Sequence, residues 1–166
     1  HVSLKINLMT ASHAHLLLNH IPILGSIFGV LLLIIGMILK NKTLEITGLA
    51  TILLAAVFTG PVYLTGEESE HVVEHIAGIS EHQLEEHEEH AELSLWMMMV
   101  SGALSLMTIL SYQYAPQRVK ISRIITLVVT LISFLTLIPL ANHGGKIIHS
   151  ELRGETSIST HDLDED

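Results

Sequence analysis

Four apolar stretches, at about residues 16–39, 44–65, 93–112 and 121–141, are each long enough to cross a bilayer as a helix, which takes about 20 mostly apolar residues. Polar punctuation separates them. Asn41-Lys42-Thr43 reads as a tight turn between the first two spans, and Tyr114-Ala115-Pro116-Gln117 as the break between the last two. In the long connection at 66–92, residues 67–76 read as a short helix ended by Gly78. Ser80 with Gln83 then forms a capping box, opening a helix from Glu81 that continues through the third span. At about 1.5 Å per residue that helix exceeds the bilayer, so its first turns project above it. The pattern predicts an all-α, integral membrane, up-down-up-down four-helix bundle over residues 1–153, with a Glu/His-rich helical outer connection. The acidic tail at 154–166 reads as disordered.

Finer periodicities predict which faces meet. In the third span Ser94, Ser101, Ser105, Thr108 and Tyr112 recur at helical spacing, and in the fourth Thr126, Thr130, Ser133 and Thr136 do the same. Small polar residues in a membrane gather at helix contacts, so both stripes are expected to face the bundle. Extended outward, the first stripe reaches His90, with His87 beside it, and His143 lies seven residues past Thr136. In the first span Gly25, Gly29 and Gly36 form a close-packing face roughly opposite His20. The expectation is that His20 looks into the bundle while the glycines serve a second protomer, giving a homo-oligomer. Pro22, Pro61 and Pro139 fall near one depth and free backbone carbonyls there, which predicts a pocket beside the histidines unless they are ordinary helix-end prolines.

Charge assigns the sides. Ten of the twelve histidines are expected at one membrane face: His13, His15 and His20 at the entry of the first span, the five from His71 to His90 in the connection after the second, and His143 and His149 at the exit of the fourth. Five of the eight basic residues, Lys40, Lys42, Arg118, Lys120 and Arg123, flank the two short turns at the other face. By the positive-inside rule those turns are cytoplasmic and both termini extracytoplasmic, in a bacterial inner membrane. The connection at 66–92 carries ten glutamates, five histidines and no Lys or Arg, so much of the net charge of −9 sits outside. The apolar run after His15 has no small-residue cleavage site and is expected to stay as the first span, with Met9 a candidate start.

The absence of cysteine excludes disulfides, iron–sulfur clusters, thiolate zinc sites and covalent haem attachment through CxxCH. With 166 residues and a mean hydropathy of +0.52, the chain has room for the bundle but no separate soluble catalytic domain. An electron-transfer or binding subunit therefore fits better than a stand-alone enzyme. No Ser-His-Asp or phosphate-binding motif occurs, and the acidic outer face argues against nucleic acid.

Two constellations carry chemistry. An ionisable group within a span is costly and usually functional, which singles out His20 beside Asn19. Convergence of His20, His90 and His143 from three helices, with His87 adjacent, is what bis-histidine ligation of haem b requires. Taken singly, His90 and His143 are also compatible with solvated interface histidines. The second constellation is His71-Val-Val-Glu-His75, where two imidazoles four residues apart share a helix face and suit a divalent transition metal, with Glu70 or Glu74 as an oxygen ligand. Because the ligands must be neutral imidazoles, binding there is expected to tighten as pH rises. Its match to the protease motif HxxEH lacks the soluble scaffold of such enzymes, and the region can equally be a solvated acidic cap.

The runs His20-Ile-Pro-Ile, Thr59-Gly60 through Thr65-Gly66-Glu67, and Asn142-His143-Gly144-Gly145, with the Glu/His-rich connection, resemble an uncharacterised family of small four-span bacterial membrane proteins. More distantly the chain resembles b561-type membrane cytochromes, whose four-helix cores hold haem between histidines. The likeness spans about residues 13–150. It implies haem b held by His20, His90 and His143, with His71 or His75 as alternatives. Two-haem members also need ligands near the cytoplasmic side, and this chain has no histidine there, which leaves one outer site. Three functions follow as expectations: electron transfer with a quinone or periplasmic redox partner, divalent-metal binding or sensing through the outer connection, and a non-catalytic structural subunit of a membrane complex.

Overall fold

A computed structural model describes residues 14–73 and 81–148, without the side chains of 70–73, 81, 83 and 143–148. The acidic tail expected at 154–166 lies outside the described residues. Among those residues the secondary structure is helical throughout: α1 is His20–Leu39, α2 Lys42–Val73, α3 Glu81–Tyr114 and α4 Val119–Ile148, with a 3-10 turn at Pro116–Arg118. Helix also covers residues 14–18, extending α1 outward. Four segments, Ala14–Leu39, Lys42–Ser69, Leu84–Tyr114 and Pro116–Asn142, are long and apolar enough to cross a membrane, in keeping with the four predicted spans.

The turns form as their residues dictate. Lys40 takes a left-handed conformation (φ 52°), and the Asn41 N–H donates to the Gly36 carbonyl at 2.8 Å, closing α1. The Asn41 side-chain oxygen then accepts the Leu44 N–H at 3.1 Å and opens α2. One expectation changes: α2 continues unbroken through Gly66 to Val73 instead of yielding to a separate short helix. Thr65 and Ser69 donate their hydroxyls to carbonyls one turn back, at 2.9 and 2.7 Å, which suits an uninterrupted helix.

α1 and α2 pack backbone to backbone. A Cβ at Gly25 would lie 2.8 Å from that of Ala55, one at Gly29 2.6 Å from Ile52 Cγ1, and one at Gly36 2.6 Å from the Glu45 nitrogen. The glycine face expected to meet a second protomer is therefore occupied by α2 of the same chain. A two-residue turn, Lys40-Asn41, brings these two helices together, and Gly48 and Ala55 supply the matching smooth surface. Between α3 and α4 the contact is a hydroxyl seam: Ser101 to Ser133 at 2.7 Å, Thr108 to Ser122 at 2.6 Å and to Thr126 at 2.9 Å, Ser94 to Thr136 at 3.1 Å. The predicted polar stripes are these buried faces. Gly102 against Ala56 joins α3 to α2.

Large apolar side chains mostly point the other way. Leu24, Phe28, Leu31, Met107, Ile132 and Leu135 are exposed, while Ser94, Ser101, Ser105, Thr108, Thr126, Thr130 and Ser133 are buried. Such an arrangement would be insoluble in water, whereas in lipid, which removes the hydrophobic drive between helices, small polar contacts hold helices together.

Candidate functional site

The depth of each histidine follows from the registers of the packed helices. Along α3 and α4, Thr108 meets Ser122, Thr126 Oγ1 donates to the Leu104 carbonyl at 3.3 Å, Ser133 Oγ to that of Met97 at 2.9 Å, and Ser94 Oγ to that of Thr136 at 3.2 Å. Each step outward along one helix is matched on the other. Seven residues outward from Ser94 is His87, and seven outward from Thr136 is His143, so these positions lie across from one another. His90 is about one turn deeper than His87, and both are half-buried. His90 Nδ1 lies 2.7 Å from the Glu86 carbonyl. A carbonyl only accepts, so Nδ1 carries the proton and the lone pair of the neutral ring belongs to Nε2.

On α1 the buried line runs Gly36, Gly29, Pro22 at seven-residue steps, and the next step is His15. His15 is half-buried, and its Nδ1 donates to the Val62 carbonyl of α2 at 3.0 Å, fixing the same tautomer as in His90. Its ring rests on Gly66, where a Cβ would come within 3.0 Å of His15 Cε1. Asn19 follows one turn deeper on this face; its Oδ1 is buried and has no hydrogen-bond partner among the described residues. His20, expected to face the bundle, is instead exposed, on the side of Leu24, Phe28 and Leu31.

The other sequence-predicted groups divide similarly. Pro22 is buried, Pro139 half-buried and Pro61 exposed, so the three prolines do not line one pocket. Glu70 and His71 fall on the last turn of α2 with undescribed side chains, and Glu74 and His75 lie outside the described residues. His82 is exposed beside Glu86, 3.5 Å away on its own helix. Among the described residues no group of three or more His, Asp or Glu is close enough to hold a metal ion.

No family model, curated protein or solved structure matches the chain.

At the opposite end lies a cluster that sequence reasoning missed. Glu45 of α2 is almost fully buried; Arg123 Nη1 of α4 donates to its two oxygens at 2.8 and 2.6 Å, and the Tyr112 hydroxyl of α3 donates to the same carboxylate. The Lys42 ammonium sits 5.4 Å from the Tyr112 ring centroid. A signal was present. Glu45 is the sole acid of the second apolar stretch and Arg123 the sole base of the fourth, and opposite charges at one depth favour pairing in a membrane.

The donor chemistry of the histidine end fits haem b. His15 and His90 both anchor Nδ1–H on a carbonyl, which leaves the lone pair of each neutral ring on Nε2, the donor state that a metal-binding imidazole requires.

Proposed function

We propose that the chain is an up-down-up-down four-helix protein of the bacterial inner membrane. It binds one haem b at its extracytoplasmic end and exchanges electrons with a quinone or a periplasmic partner. The observation that supports this most is the common level of the imidazole positions: His87 across from His143, His90 one turn deeper and His15 on the inward line of α1, all at the end away from the basic turns. Haem would supply one-electron chemistry. The chain contributes neutral imidazoles held by carbonyls, and helices whose hydroxyl and glycine contacts fix their separation. The outward apolar faces keep the assembly in lipid.

A visible spectrum of the detergent-purified protein, expressed with ample haem, tests the reading. The expected result is a reducible Soret and alpha band, abolished or shifted by His90→Ala, since loss of an axial imidazole changes the spin state of iron. A colourless wild-type protein overturns it.

A further inference from the structure

We infer that His15 is the α1 imidazole of this site and pairs with His90 across the diagonal of the bundle. The assignment rests on the haem reading and deepens it. α1 and α3 are the diagonal pair: α2 packs against both, α3 packs closely on α4, and α4 also touches α1. Directly packed helices have axes about 8–10 Å apart. Two imidazoles holding one haem between them would need more room than that, which favours the diagonal pair over neighbouring helices. Deeper down the diagonal is closed, with Ser26 Oγ 3.6 Å from Met98 Sδ, so this contact forms a floor.

Two independent registers set the level of His15. From the Ser26–Met98 contact, counting outward equally on both helices brings His15 to residue 87 of α3. Through α2, where Gly25 meets Ala55 and Gly102 meets Ala56, the same count brings it to residue 93. His90 lies inside that window. The ring orientation agrees: Nδ1 of His15 is held by Val62 and Nδ1 of His90 by Glu86, which gives both Nε2 atoms the ligand role. Asn19 Oδ1, buried without a described partner on the face of His15, is the orphan acceptor that an incompletely filled mouth would leave. His20 fails the same test, being exposed on the apolar outer side of α1.

The experiment compares the haem-loaded full-length protein with His15→Ala, His15→Gly and His20→Ala by absorption and electron paramagnetic resonance, with helix content checked by circular dichroism. His15→Ala is expected to lose the low-spin alpha band, and His20→Ala to keep the wild-type spectrum. Free imidazole added to His15→Gly is expected to restore the low-spin signature, a rescue that a purely structural role would not allow. A haem-loaded His15→Ala with an unchanged low-spin spectrum, loss of that spectrum in His20→Ala, or no rescue of a helical His15→Gly overturns the assignment alone. Wild-type protein without haem overturns the haem reading, and the assignment with it.

Discussion

Gly66 controls where the His15 ring can sit. In a Gly66→Ala variant the new methyl would lie 3.0 Å from Cε1 and 3.2 Å from Nδ1, tighter than ordinary contact, so the ring has to move and its bond to the Val62 carbonyl weakens. The expected loss is about 1 kcal/mol, the typical worth of one such hydrogen bond, read as a lower thermal midpoint in detergent. Gly60 on the same helix is the control, because a Cβ there meets nothing within 4 Å. Gly60→Ala is expected to be neutral or to gain up to about 1 kcal/mol from helix propensity. Equal responses at the two positions would remove the His15 contact from the account. His15 was legible in the sequence only as one histidine among several, because the inward line through Pro22, Gly29 and Gly36 points to it only once the glycine face is known to meet α2.

Between elements, the contact with most at stake is Glu45 with Arg123. Removing one partner of a buried pair strands the other charge, which costs about 3–5 kcal/mol. Arg123 keeps 24% of its side-chain surface exposed, so Glu45→Ala is expected to fall at the lower end of that range, measured by denaturant unfolding in detergent micelles. Replacing both by leucine is expected to recover most of the loss, since the stranded charge is then gone. A double variant no better than Glu45→Ala would show that the triad with Tyr112 is worth more than its charge balance. The sequence carried half of this level of organisation. The spans and the hydroxyl stripes are periodicities within single helices and could be read one helix at a time. Pairing across helices could not: the glycine face was offered to the wrong neighbour, and Glu45 stood unnoticed beside basic residues counted only for topology.

Taken whole, the molecule places small polar residues inside and large apolar ones outside, with imidazoles at one end and basic turns at the other. That polarity makes orientation testable with single cysteines, because the chain has none of its own to confuse the readout. Asn41 and Gln117 are exposed in the two short turns, and Glu67 is exposed on the α2 segment leading to the histidine end. By the positive-inside rule the basic residues around the turns are expected to hold them on the cytoplasmic side. A membrane-impermeant thiol reagent applied to intact cells is therefore expected to spare Asn41→Cys and Gln117→Cys until the membrane is permeabilised, and to label Glu67→Cys directly. The reverse pattern would turn the histidine end toward the cytoplasm. A haem bound there would then face cytoplasmic reductants, and the proposed exchange with a periplasmic partner would be physically closed to it.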